Sequence, residues 1–196
     1  MKLFYFIRHG QTKYNVTNKF VGSTDLPLTE DGIKNIKEIW DEKRVHLDHE
    51  VLYCSPMKRC IETASIIFPG ENINTVKNFR EMDFGIFEGK NHEQLEHLDA
   101  YKEFRETKGK SKVPKGESGI EFGRRVLKGF FEIVKDMNKN DYNVASIVCH
   151  GGVIMALFSL LCDESNDIYH YYLLNGEGYS VYYDEDLKRI IINGKL

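Results

Sequence analysis

The sequence predicts an α/β fold, a three-layer α/β/α sandwich around a mostly parallel central sheet. Three observations predict it. Short apolar runs of strand length alternate along the chain with segments of helical period. Two of those runs end in a histidine and a glycine: Leu3–Ile7 leads into Arg8-His9-Gly10, and Ala145–Cys149 into His150-Gly151-Gly152. The 196 residues, 41% hydrophobic and 29% charged, have the length and balance of one globular domain with a sizeable core. A single domain over 1–196 is therefore expected, with no repeat and no linker.

Leu3–Ile7 is an apolar run suited to a central strand. Residues 10–28 hold Gly, Asn, Thr, Ser, Asp and Pro and read as a long functional loop. Thr29-Glu30-Asp31 opens a helix with a capping hydroxyl and two acids near its positive end, and Ile33, Ile36, Ile39 and Trp40 form its apolar face. Val51–Cys54 is a second strand. Ser55-Pro56 reads as the next helix start, a cap and then proline at the first helical position, with Met57, Cys60, Ile61, Ala64 and Ile67 following at helical spacing. Ile73–Val76 is a weaker strand, and 77–91 reads as irregular.

Residues 92–117 are polar and lysine-rich, which fits either a disordered insert or short helices between His92 and Phe104. We expect the latter: a mobile helical cap over about 91–118, ending in Val113-Pro114-Lys115-Gly116. From Ser118 a long helix runs to about Met137, with Val126, Leu127, Phe130, Phe131 and Val134 on one face. Val144–Cys149 is a strand. Val153–Leu161 is apolar all round and is expected to be buried. Tyr179–Tyr183 and Arg189–Ile192 flank Asp184-Glu185-Asp186 and predict a closing hairpin.

The net charge of −3 offers no global attraction to nucleic acid or to an anionic membrane, so any anion must be held locally. No apolar run approaches the ~18 residues of a membrane span. Cys54, Cys60, Cys149 and Cys162 include no Cys-x-x-Cys pair and read as reduced core thiols, two in strands and two in helices. With a first strand that starts at residue 2, this predicts a cytoplasmic protein.

In such folds ligands bind beyond the carboxyl ends of the strands. Arg8-His9, Ser55–Arg59, Glu81 and His150 all follow apparent strands, so they can converge. Successive strand residues point to opposite faces, so Arg8 and His9 share a site only if the chain leaves β geometry; Gly10 is expected to supply that freedom. Arg59 lies near a helix N-terminus, whose unpaired N–H groups attract anions. Two arginines, two histidines and exposed amides at Gly151 and Gly152 form a pocket for a tetrahedral dianion.

These residues resemble the histidine phosphatase, or phosphoglycerate mutase-like, superfamily. The matching motifs are Arg8-His9-Gly10-Gln11-Thr12 with Asn15, Asp25-x-Pro27-Leu28-Thr29-x-x-Gly32, Ser55-Pro56-x-x-Arg59 with Thr63-Ala64, Glu81-x-x-Phe84-Gly85 with Glu88-Gly89, and His150-Gly151-Gly152. The resemblance implies that His9 is a nucleophile that becomes phosphohistidine. It implies that Arg8, Arg59 and His150 hold the phosphoryl oxygens, assisted by Asn15, Val21, Gly22 and Gly151, and that Glu81 serves as acid and then base. Asp83 is the alternative acid, and Glu88 is expected to brace the loop. No metal and no cofactor is implied. The expected partner is a small-molecule phosphomonoester, and the oligomeric state is left open, with a homodimer as one option.

Within that superfamily the mutases carry Glu-Arg-x-Tyr where this chain has Glu81-Met82-Asp83-Phe84, and Asn where it has Gly152. The stretch from Glu81 to His150 is short for their lid, and Leu196 follows the hairpin closely. These departures favour hydrolysis over phosphoglycerate mutase-type transfer, and the intact nucleophile, acid and clamp argue against a module that binds phosphate without turnover. Pro114-x-Gly116-Glu117-Ser118 resembles alpha-ribazole phosphatases and broad-specificity relatives, which makes alpha-ribazole 5'-phosphate one expected substrate. Phe84, Phe87, Tyr101 and Phe104 could face a ring-bearing substrate or simply be core.

Overall fold

The computed structural model describes residues 1–43, 47–162 and 167–196. In chain order its elements are β1 (Lys2–Arg8), α1 (Lys13–Val16), α2 (Glu30–Lys43), β2 (Val51–Cys54), α3 (Lys58–Ile67), β3 (Ile73–Thr75), α4 (His92–Leu95), α5 (Asp99–Glu106), α6 (Gly119–Lys139), β4 (Val144–Cys149), α7 (Gly151–Leu161), β5 (Gly178–Asp184) and β6 (Arg189–Lys195). The six strands form one sheet in the order β3-β2-β4-β1-β5-β6. The pairings β3-β2, β2-β4 and β4-β1 are parallel; β1-β5 and β5-β6 are antiparallel. The α/β sheet is therefore mixed, its parallel part carrying the two histidine-ended strands.

Strand alternation sorts the core into two layers. Phe4 and Phe6 of β1, Val51 and Tyr53 of β2, and Ala145, Ile147 and Cys149 of β4 face one side, with α6 and α7. Ile7, Leu52, Cys54 and Val148 face the other, with Ile36, Trp40, Cys60 and Ala64 of α2 and α3. Aromatic side chains tie the larger layer: Phe4 lies 5.3 Å from Phe130 and Phe6 meets Phe158 edge-on at 5.4 Å. Each fully buried side chain of this kind contributes about 1.5–3 kcal/mol. The Ser118 hydroxyl accepts from the Glu121 amide while Glu121 accepts from the Ser118 amide, and this closes the start of α6.

Several elements differ from expectation. α3 starts at Lys58 rather than at Ser55-Pro56, because Asp25, reaching across from the loop, accepts from the Lys58 amide and supplies the cap. The 10–28 loop contains the short helix α1, and 77–91 contains 3-10 turns at Lys77–Phe79 and Gly85–Phe87. Phe131 and Leu160 are exposed, at 38% and 52%, although their helices' apolar faces included them. Cys162 follows the last turn of α7 instead of lying within it. All four cysteines are buried, and burial raises the thiols of Cys54, Cys60 and Cys149. The 91–118 segment does form short helices, and its Leu95, Tyr101 and Val113 are buried in the main core. Phe20, Phe84, Phe87, Tyr101 and Phe104 stack on one another there, so these aromatics serve packing. Among the described residues, no helix is long and apolar enough to cross a membrane.

Candidate active site

Register places the two histidines together. β1 and β4 are neighbours with Arg8 opposite Cys149, so His9 and His150 leave adjacent strand ends side by side. Their rings lie 5.1 Å apart at 68°. Both are buried. His9 Nδ1 lies 2.7 Å from the Gly10 carbonyl, an acceptor only, so Nδ1 carries the proton and Nε2 keeps its lone pair. Burial first, then the Arg59 and Arg8 charges, holds His9 well below the usual histidine range. The same forces hold His150 down. Arg59 Nε donates to His150 Nδ1 at 3.3 Å, which leaves the His150 proton on Nε2, 2.8 Å from the Ser55 hydroxyl. Ser55, which sequence reading assigned to a helix cap, is thus a partner of the second histidine.

Gly10 has no positive φ. Its glycine is required by space instead: a Cβ there would lie 2.8 Å from Ile36 Cγ1. Its amide donates to the Thr63 hydroxyl. Arg8 is held by the Leu173 carbonyl and lies 5.4 Å from the Tyr172 ring, while Asn175 donates to the His9 carbonyl. The 172–175 stretch therefore walls the site, and nothing in its sequence period marked it. Arg8 Nε is buried without a hydrogen-bond partner among the described residues, a donor whose isolation costs about 1–3 kcal/mol unless an anion meets it. Gly151 stands beside it: a Cβ there would lie 3.2 Å from Arg8 Nε.

Arg59 is fully buried, and donates from Nη1 to the Thr24 carbonyl and from Nη2 to the Gly22 carbonyl. Glu88 holds the same loop, accepting from the Gly22 and Ser23 amides and the Thr24 hydroxyl. The Gly22 N–H is thereby directed at Glu88, and Val21 beside it is half-buried. Asn15 Oδ1 accepts from the Thr12 amide and hydroxyl.

Glu81 is buried, and burial raises its carboxyl above the usual range. Oε1 accepts from the Met82 amide and Oε2 from the Gly152 amide, in the first turn of α7. A Cβ on residue 152 would lie 2.2 Å from Glu81 Oε1, so only glycine admits the carboxyl there. Asp83 is half-buried, and its Oδ1 accepts from the Gly85 amide and the Ser23 hydroxyl. A cavity of about 110 Å³, lined among others by Ser23, Met57, Arg80 and Asp83, opens beside Glu81. A larger cavity, about 1020 Å³, lies between the far ends of α2 and α3, lined by Trp40, His49, Phe68 and Glu71 among others, and neither His9 nor His150 lines it. Chemistry rather than volume marks the site.

The family model described as the histidine phosphatase superfamily (branch 1) matches residues 4–191. Phosphoserine phosphatase 1 of Hydrogenobacter thermophilus is 29% identical over 191 residues, covering 95% of this chain and 88% of that protein. The adenosylcobalamin/alpha-ribazole phosphatase of Salmonella typhimurium is 28% identical over 177 residues, covering 88% and 86%. A phosphoglycerate mutase structure from Bacillus anthracis superimposes with a TM-score of 0.81 at 21% identity, covering 98% of this chain and 92% of that one, which shows the shared fold.

Proposed function

The chain belongs to the histidine phosphatase superfamily and is a phosphatase of that superfamily; from this premise we propose that it hydrolyses a small-molecule phosphomonoester through a phosphohistidine on His9. The observation that carries the proposal is the state of His9: its Nδ1 is tied to Gly10, its Nε2 meets no hydrogen-bond partner among the described residues, and two arginines flank it. A neutral imidazole with a fixed tautomer is a ready nucleophile at neutral pH.

Nε2 attacks phosphorus in line with the ester oxygen. Arg8, with its unpartnered Nε–H, and Arg59 stabilise the equatorial oxygens as charge spreads over them. His150 offers the Nε2–H it otherwise directs at Ser55, and the Gly151 amide and the Asn15 NH2 face the same anion. Glu81, whose carboxyl burial pushes above the usual range and so helps to hold a proton, passes that proton to the leaving oxygen. It then takes a proton from water as that water attacks the phosphohistidine, and free phosphate and neutral His9 return.

The departing alcohol would sit in the small cavity beside Glu81, which Met57, Arg80 and Asp83 help to line. Gly152, which seats the acid, stands where the mutases of the superfamily carry Asn, and this supports hydrolysis over transfer. Phosphoserine and alpha-ribazole 5'-phosphate are the first substrates to test. The buried Cys54, Cys60 and Cys149 thiols fit a reducing, cytoplasmic setting.

A panel of metabolite phosphomonoesters, read by phosphate release, tests the proposal. Turnover of at least one ester is expected, surviving exhaustive chelation because arginines supply the positive charge. Vanadate should inhibit as a trigonal-bipyramidal mimic held by His9. Absence of turnover across the panel and with 4-nitrophenyl phosphate would remove the reading.

A further inference from the structure

We propose that Arg125, seated by Glu117, is the positioning residue that aims the Glu81 carboxyl at the leaving oxygen. This rests on the phosphatase reading above and adds a part to it.

A guanidinium has five N–H donors in a planar fork, and Arg125, on α6, has all five engaged. Nε donates to Glu117 Oε1 and Nη2 to Glu117 Oε2, each at 2.7 Å, the bidentate pairing a carboxylate makes with arginine. Nη1 donates to the carbonyls of Asn78 and Arg80, both at 2.8 Å, and Nη2 to the carbonyl of Glu81 itself at 3.1 Å. The backbone that carries the acid is thus gripped at three carbonyls from one side.

Glu117 grips it from the other. Its Oε2 accepts from the Asp83 amide at 3.1 Å, and its own amide donates to the Asp83 carbonyl at 2.9 Å. Glu81 therefore stands between two clamped points, 78–81 and 83. The pair is mostly sheltered, with side chains 16% and 22% exposed, and the guanidinium lies 5.0 Å from the Phe122 ring. Both residues also line the small cavity beside Glu81. Lysine, a point charge with three donors, cannot reproduce five bonds in one plane.

General acids act only within hydrogen-bond reach of the atom they protonate. A loosened 78–83 backbone would leave phosphate binding intact, since Arg8, Arg59 and His150 come from other elements, and would misdirect the proton. A purely structural staple would instead lower all activities together.

The experiment compares kcat and KM of the full chain for an alkyl ester, glycerol 2-phosphate, and for 4-nitrophenyl phosphate, whose phenolate leaves without an acid. Arg125→Met should lower kcat for the alkyl ester roughly tenfold more than for the nitrophenyl ester, with vanadate inhibition changed by less than about threefold. In a Glu81→Gln background it should add less than about threefold, because two residues acting through one group are not additive. Should Arg125→Met fail to fold, Glu117→Gln is read by the same two criteria. Equal losses on both esters, or losses that multiply in the Glu81→Gln background, would overturn the assignment. A wild-type chain that turns over neither of these esters nor any ester of the metabolite panel would overturn the phosphatase reading as well.

Discussion

His9 can attack phosphorus only while its Nε2 lone pair is free, and burial between Arg8 and Arg59 keeps a proton off it. Replacing it by alanine leaves the anion clamp and removes the covalent route. His9→Ala should lose at least about a thousandfold in kcat. Denaturing the wild type during turnover of a labelled ester should trap acid-labile, base-stable phosphate on His9; a fully active alanine variant would refute the nucleophile. Glu81 and Asp83 are separated by environment: one is buried against an α7 amide, the other bonded to a turn and a serine. Glu81→Gln should therefore cripple hydrolysis of alkyl phosphates while nearly sparing nitrophenyl phosphate. Asp83→Asn should be mild on both, and the reverse pattern would reassign the acid. Arg8, His9 and His150 were legible because strand ends and glycines carry local signatures, whereas Arg59 and Glu81 took their expected roles from the family motifs in which they sit. Ser55, Asn175 and Arg125 were not. Their partners lie 95, 166 and up to 47 residues away, and hydrogen bonds over such spans leave no mark on periodicity.

At the scale of elements, long periodic segments read well and their ends read poorly. α6 and the β5–β6 hairpin stand where pattern put them. The start of α3 moved by two residues because its cap comes from Asp25, 33 positions upstream, and leaves Ser55 for His150. Gly10 was read as a turn maker and is a packing residue. Gly152 is the sharper case, since it joins α7 to the acid. Gly152→Ala forces a Cβ into the Glu81 carboxyl, and helix propensity alone would make the change favourable by up to about 1 kcal/mol. The variant should fold, bind vanadate and show the leaving-group dependence of Glu81→Gln. Unchanged activity on alkyl esters would mean that the carboxyl does its work from another position.

Two neutral buried histidines give the whole molecule a pH signature. Both folded values lie below the unfolded value of about 6.5, so the unfolded chain takes up protons first as pH falls. Stability is fully present above about pH 6.5 and drops below it, by at most about 2.7 kcal/mol per pH unit for the two groups together. Glu81 works the other way: its raised value makes the folded state hold an extra proton above about pH 4.5, one group offsetting two. Denaturant unfolding at pH 7.5, 6.5 and 5.5 should show the loss, and a flat profile would mean the histidines are charged in the folded protein. Fold class was the most legible property at this scale, because alternation of strand and helix patterns survives local errors. Sheet order was not, since nothing in β1 announces that β4 and β5 are its neighbours.

That order has a consequence during synthesis. β1 emerges first from the ribosome, yet Leu3 pairs with Val144 and Lys2 with Tyr183. At roughly 5–20 residues per second, the apolar strand Leu3–Ile7 waits on the order of 7 to 28 seconds for its parallel neighbour to be made, and longer for its antiparallel one. Throughout that interval it has no edge to join, and the nascent chain presents an apolar strand to whatever else is in the cell. His9 at its end gains its companion His150 only 141 residues later, so a fragment released before then carries the proposed nucleophile without its partner.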